Sequence, residues 1–379
     1  MQFYLIAGEP SGDALGAALM AGLKQVMPKA QFHGVGGPLM QAQGLRSQFP
    51  MDELSVMGIA EVLPKYRALK RRIAECADAV IALKPDALIT IDSPDFCLRV
   101  AKQVKAASDI KTIHYVAPSV WAWRAGRATK MARVIDHVLA LLPFEPPLMQ
   151  AAGMGCDFVG HPVVNDPVAS PAEIAAFREQ HALKDTPLLL VLPGSRRGEV
   201  ARLAPIFGQT LGHLCKAQPD LKVVVPAASA VAGQVRAFVA DWPIKPIIID
   251  GDPAQKRAAF GAADVALAAS GTVSLELAAA STPMVVAYDM NWFSRLLISR
   301  MLKIDTVTLV NLVSETRVVP EFLGAQCDPE QIAKGIITVL ASPDDQQVAM
   351  DLTMQRLGRG SEAPGLRAAK AVIKAVTAG

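Results

Sequence analysis

The chain has 379 residues, 51% of them hydrophobic and 5% aromatic, and its 38 Lys+Arg against 35 Asp+Glu leave a formal net charge of +3. That is apolar material for about two or three domains and excludes a disordered chain; so small a charge also argues against nucleic acid as the main partner, which needs many clustered phosphate contacts. Mean hydropathy is +0.29, yet apolar runs such as 188–193, 265–269 and 284–288 stop at five or six residues, where a membrane span needs about 18.

The opening residues carry no basic stretch and reach acid, Pro and Gly by position ten, unlike a signal peptide, so a cytoplasmic protein is expected. Residues 2–7 read as a strand, 8–12 as a tight loop and 13–26 as a helix with Leu15, Leu19 and Leu23 on its apolar face. A strand returns at 31–35, and others are predicted at 87–91, 111–116, 137–141 and 156–159. Asp166-Pro167 and Ser170-Pro171 punctuate a linker, which puts a domain boundary near residue 163. A second strand series follows at 188–192, 222–226, 246–249, 264–268 and 283–287, and the Ala-, Arg- and Lys-rich end reads as helix. This alternation predicts an α/β protein with parallel sheets in domains 1–163 and 164–343. Helices in 344–379 are expected to pack back across both, and ligands to bind in a cleft at the carboxyl ends of the strands. Cys76, Cys97, Cys156, Cys215 and Cys327 are odd in number and never paired as C-x-x-C, which argues against a disulfide framework or a thiolate metal site.

Five segments carry candidate chemistry. In the first loop, Glu9, Ser11, Gly12 and Asp13 stand where a strand meets a helix start, a place for a polar or anionic ligand. The G-x-G-x-x-G spacing of an NAD fold is absent. Gly36 and Gly37 follow the second strand and would let a substrate approach the backbone. Asp92 and Asp95 follow an apolar strand; Asp95 is the better candidate for a general base and Asp92 for its support, the alternative being that they cap the next helix. Gly194, Ser195, Arg196 and Arg197 combine exposed backbone, a hydroxyl and guanidinium forks, a phosphate site without P-loop spacing. Ser270, Gly271 and Thr272 repeat the strand-to-helix arrangement, and Glu276, about one turn on, could accept hydrogen bonds from a ribose; a simple capped helix is the alternative. Two such loops in one domain point to a nucleotide diphosphate. Asp250-Gly251-Asp252 matches a D-x-D metal pattern but reads better as a turn. His114 and His161 lie near strand ends as substrate candidates. Residues 64–73 read as a basic amphipathic helix in which Tyr66, Arg67, Leu69, Lys70, Arg71 and Arg72 either meet an anionic membrane or form a solvated face. The apolar Val56, Met57, Ile59, Val62 and Leu63 just before it suggest a lipid entry.

Taken together, the motifs AGEPSGD (7–13), GVGGPLM (34–40), MGIAEVL (57–63), IDSPDF (91–96), IHYVAPSVWAWR (113–124), LPFE (142–145), FVGHPV (158–163), LPGSRRGEV (192–200), ASGTVSLE (269–276) and NLV (311–313) resemble the lipid-A-disaccharide synthases, GT-B inverting glycosyltransferases. The resemblance implies two Rossmann-like domains facing a central cleft, an acceptor and lipid domain first and a UDP-sugar domain second. It implies UDP-2,3-diacylglucosamine as donor, 2,3-diacylglucosamine 1-phosphate as acceptor, a β-1,6 linkage and release of UDP, with no cofactor and no metal. Asp95 matches the proposed base. Arg196, Ser195 and Ser270 to Thr272 match diphosphate positions, Glu276 a ribose contact and Asn311 a cleft residue, while His114, Ser119 and Trp121 fall in the most specific block as substrate contacts. The chain departs from the family pattern at Pro10 and at Arg197, whose presence leaves open which arginine meets phosphate. The implied location is the cytoplasmic face of the inner membrane, peripherally bound, with the oligomeric state open. A UDP-N-acetylglucosamine epimerase, another GT-B transferase or a non-catalytic carrier would share the fold but leave 56–73 or Asp95 unexplained.

Overall fold

In the computed structural model, which describes residues 1–54, 59–122, 126–289 and 305–378 (59–65 by backbone alone), the chain divides into two compact units, Met1–Asn165 with Gly360–Gly379, and Asp166–Arg359. The first is built on seven parallel strands, β1 Gln2–Ala7, β2 Gln31–Val35, β3 Arg46–Ser47, β4 Ala87–Ile91, β5 Lys111–Tyr115, β6 His137–Ala140 and β7 Gly155–Phe158, in the order β3-β2-β1-β4-β5-β6-β7. Between them run α1 Pro10–Val26, α2 Pro38–Ala42, α3 Ile59–Leu83, α4 Pro94–Ala107, α5 Gly126–Met131 and α6 Pro146–Ala151.

Successive residues of β1 feed different cores, Tyr4 and Ile6 one apolar cluster and Phe3, Leu5 and Ala7 the other. Helices therefore cover both faces, which is why these strands are continuously apolar and not alternating. The last helix, Pro364–Thr377, closes one face by crossing α1 at two glycines: a Cβ on Gly22 would lie 2.5 Å from the Gly365 carbonyl oxygen. Arg367 donates to the Phe158 carbonyl at 2.9 Å and lies over the Phe158 ring, and Lys374 pairs with Asp157 at 3.2 Å.

The second unit holds α7 Pro171–Gln180, β8 Leu188–Leu192, α8 Arg197–Ala217, β9 Lys222–Ala227, α9 Ala232–Val239, β10 Ile247–Asp250, α10 Pro253–Ala262, β11 Val265–Ala268, α11 Val273–Ala279, β12 Met284–Tyr288 and β13 Glu321–Leu323. The six strands are parallel in the order β10-β9-β8-β11-β12-β13. Strand β8 is buried at all five positions, between strands on each side and helices above and below. The helices expected in 344–379 fall in different units. Helix Asp344–Arg356 belongs to the second unit, where buried Gln346 bonds both the amide and the carbonyl of Met284 (2.8 and 3.0 Å). The following helix packs in the first. Strands β3 and β13, two and three residues long, carry too little apolar pattern to be read from sequence.

Candidate functional site

The second unit contains a cavity of about 720 Å³ at the carboxyl ends of β8, β9, β10 and β11, the place where parallel α/β sheets leave loop N–H groups and helix starts exposed. Gly194, Ser195 and Arg196 enter it after β8, Ser270, Gly271 and Thr272 after β11, and Glu276 from the first turn of α11. Gly194 has φ +118°, a left-handed backbone that glycine tolerates, and a Cβ there would meet Glu199 at 2.7 Å. Glu199 braces this loop: its carboxylate accepts from the Ser195 and Arg196 amides at 3.3 and 3.4 Å. The Arg196 side chain stays 68% exposed and only 3.5 Å from Glu199 at its nearest, so its guanidinium is available to a ligand. Arg197, the other candidate for the phosphate contact, stands on the first residue of α8 outside the cavity lining. At Gly271 nothing lies within 4 Å of a built Cβ, so this loop is open.

Among the lining residues missed by sequence reasoning, Pro253, Lys256 and Phe260 lie together on α10. Their i, i+3, i+7 spacing places them on one helix face, the signal that could have found them. Phe260 and Ile249 give the cavity an apolar wall, suited to a flat base. Lys256 Nζ is 2.6 Å from Glu276 and 5.1 Å from the Phe260 ring centre. The D-x-D segment reads as a turn: Asp252 caps α10 by accepting from Ala254 and Gln255, while Asp250 pairs with Arg236. Among the described residues no group of three or more His, Cys, Asp or Glu side chains could hold a metal ion.

In the first unit, Asp95 is exposed in the first turn of α4. It does not cap that helix, and neither does Asp92; the cap position is Ser93, with no side-chain bond. Asp92 and Ser93 both have left-handed backbone (φ +51° and +43°), and the Asp92 amide donates to the Tyr115 carbonyl at 3.0 Å. Two such residues in succession fix the exit from β4 at a cost of order 1 kcal/mol or more each. The loop expected at 8–12 is shorter: Glu9, half-buried, takes the N-cap position of α1, and Ser11, exposed, and Gly12, buried, already lie in its first turn.

Several expected binding residues turn out to be interior. Asp13 is 2% exposed and accepts from the amides of Gly37, Leu39 and Met40 at 2.9, 2.9 and 3.0 Å. It caps α2 from inside the protein, so it is committed to the fold. Gly36 and Gly37 are small to make room for Met40, Leu45 and the Asp13 carboxylate, each within 2.7 Å of a built Cβ, and not for a substrate. His114 is buried with Nδ1 2.7 Å from Thr90 Oγ1, and burial pulls its pKa down to about 4, so it is neutral at neutral pH; half-buried His161 is lowered to about 4 by desolvation likewise. Asn311, expected at a cleft, is 1% exposed; its amide bonds Thr306 Oγ1 and the Val319 backbone. Ser119 is exposed. Half-buried Trp121 stacks edge-on against Phe144 and donates to Glu145 at 3.3 Å. Glu145 also accepts from the Leu141 and Leu142 amides, and burial raises its pKa to about 7.

On α3, Tyr66, Arg67, Lys70 and Arg71 are exposed on one face. Leu69 packs against the core and Arg72 turns inward, bidentate on Glu53 (2.8 Å twice), bonded to Glu75 (2.6 Å) and 4.3 Å over the Phe49 ring, so neither belongs to a membrane-facing surface. Val56 and Met57, the side chains of Ile59, Val62 and Leu63, and the end of the 113–124 block lie outside the described residues. Among the described residues no helix is long and apolar enough to cross a membrane.

Two α/β units, each on its own parallel sheet and one holding a cavity framed by strand-to-helix loops, define the GT-B fold class. Solved structures agree on the fold: a UDP-GlcNAc 2-epimerase from Neisseria meningitidis bound to UDP-GlcNAc (TM-score 0.65, 11% identity, 100% of both chains) and a glycosyltransferase from Rickettsia africae (TM-score 0.60, 13% identity, 99% and 98%). Sequence is more specific. The lipid-A-disaccharide synthetase family profile matches residues 3–374. Lipid-A-disaccharide synthases from Ruegeria pomeroyi (64% identity, 98% of this chain and 95% of the relative) and Rhodospirillum centenum (47%, 99% and 94%) align over nearly the whole length. The chain belongs to the lipid-A-disaccharide synthase family and is a glycosyltransferase with UDP-sugar and lipid substrates.

Proposed function

We propose that this chain transfers 2,3-diacylglucosamine from UDP-2,3-diacylglucosamine to the 6-hydroxyl of 2,3-diacylglucosamine 1-phosphate, with inversion, releasing UDP. The observation that carries the donor half is the cavity at the ends of β8 to β11, in which Arg196 and the loops at 194–196 and 270–272 surround space for a diphosphate, beside the apolar wall of Ile249 and Phe260 for a base. Glu276 receives the ribose hydroxyls. As the glycosidic bond breaks, negative charge gathers on the UDP leaving group, and Arg196 with the loop amides stabilises it where it develops. Asp95 supplies the base: an exposed carboxylate on a fixed helix start can take the proton of the attacking hydroxyl. Tyr66, Arg67, Lys70 and Arg71 form the contact with the anionic cytoplasmic face of the inner membrane, each cation near the surface adding about 1 kcal/mol.

The test is incubation of the purified protein with both acylated substrates, with and without a chelator, and detection of UDP and disaccharide. Wild type forms both products in either condition, and Asp95→Asn forms almost none. Absence of product from wild type refutes the assignment; near-wild-type turnover by Asp95→Asn refutes the base.

A further inference from the structure

Lys256 carries chemistry that no local motif announces. Its ammonium stands 2.6 Å from the Glu276 carboxylate and ties α10 to α11 across the cavity that both residues line. The pair is accessible, with side chains 45% and 40% exposed, so it contributes little to stability. Its geometry matters more: a carboxylate on a short helix turn has several rotamers, and a cation in hydrogen-bond contact selects one. Asp166 lies close enough to feel both partners; burial first and the Glu276 charge second raise its pKa, and Lys256 opposes them. Without Lys256, Glu276 would face Asp166 with its charge uncompensated and turn away from it. The same Lys256 ammonium stands 5.1 Å from the centre of the Phe260 ring, so one residue joins the apolar wall to the acid.

We infer that Lys256 is a positioning residue that holds Glu276 in the rotamer that reads the sugar hydroxyls of the nucleotide, making the cavity selective for a ribonucleoside diphosphate. The inference rests on the reading of Glu276 as the ribose contact, and the experiment separates the two. Binding of UDP and of 2′,3′-dideoxy-UDP is measured by calorimetry on the full-length wild type, Lys256→Met, Lys256→Arg and Glu276→Ala. Methionine keeps an unbranched side chain of similar length but removes the charge; thermal melts report on folding.

Wild type prefers UDP by about tenfold or more, the loss expected when a charged acceptor forfeits its hydroxyl donors. Glu276→Ala and Lys256→Met bring the ratio close to one, and Lys256→Arg restores it. A purely structural role would weaken both ligands alike and leave the ratio unchanged. A Lys256→Met protein that keeps the wild-type ratio while Glu276→Ala loses it overturns the role of Lys256 alone. A Glu276→Ala protein that keeps the ratio overturns the ribose reading, and this inference with it.

Discussion

Two glycine-containing loops that look alike in sequence, Gly36-Gly37 after β2 and Ser270-Gly271-Thr272 after β11, do opposite work. At the first, the protein supplies its own anion: the Asp13 carboxylate occupies the amides of Gly37, Leu39 and Met40. At the second, a side chain added to Gly271 would meet nothing within 4 Å, and the loop faces a cavity. A cradle of N–H groups binds a ligand only when no internal carboxylate has filled it. The same rule divides the basic helix, where Arg72 is taken by Glu53 and Glu75 while Arg67 and Lys70 stay exposed.

The strongest way to break this contrast is Asp13→Ala. It strips three amides of a buried acceptor and should cost about 3 kcal/mol or more in urea unfolding, while UDP binding by the still-folded protein stays at the wild-type level; a stable variant with weakened UDP binding would make Asp13 a ligand residue after all. Arg196→Ala should do the reverse, lowering kcat/KM about a hundredfold with little change in unfolding. Arg197→Ala should change turnover less than about threefold, and steady-state kinetics on the two variants checks the assignment.

Glu145, another carboxylate on internal amides, is tested by pH. Its pKa rises from 4.5 to about 7 through burial, so between those values the native state binds more protons than the unfolded one, and stability falls as pH rises. Unfolding of wild type and Glu145→Gln at pH 5 and 7.5 should show the wild-type advantage shrinking by about 1 kcal/mol per pH unit at the steepest; a difference independent of pH would mean the group stays charged. The smallest effect belongs to the helix surface. Lys70→Gln should weaken sedimentation with anionic vesicles severalfold, about 1 kcal/mol, whereas Arg72→Gln should leave it unchanged and lower stability instead.

Much of the fold is legible because each strand of a two-sided parallel sheet must be a short apolar run, and each run ends in Gly, Pro, Ser or Asp where the chain turns into a helix. The run Leu188–Leu192 followed by Pro193-Gly194-Ser195 reads directly as strand and loop, and so does Ala87–Ile91 before Asp92. The two-residue edge strand β3 lacks that signal, and the split of the terminal helices depends on contacts such as Gly22 with Gly365 that lie far apart in the chain. Within the site, loop motifs led to Arg196 and Glu276, but Lys256 and Phe260 belong to an ordinary amphipathic helix and become lining residues only because α10 follows β10 into the same sheet.

By itself, then, the amino-acid order determined the α/β class, the strand-to-helix loops and the family, since these depend on local periodicity, turn chemistry and motifs of fixed spacing. Only the tertiary structure decided which polar groups remain available. Asp13, His114, Asn311 and Arg72 all read as binding residues in one dimension, and each is occupied by a partner at least 5 positions away, as Asn311 is by Thr306, and up to 27, as Asp13 is by Met40. Whether a donor or acceptor meets a ligand depends on what already satisfies it, and because leaving a buried polar group unpaired costs about 1–3 kcal/mol, folding pairs most of them internally.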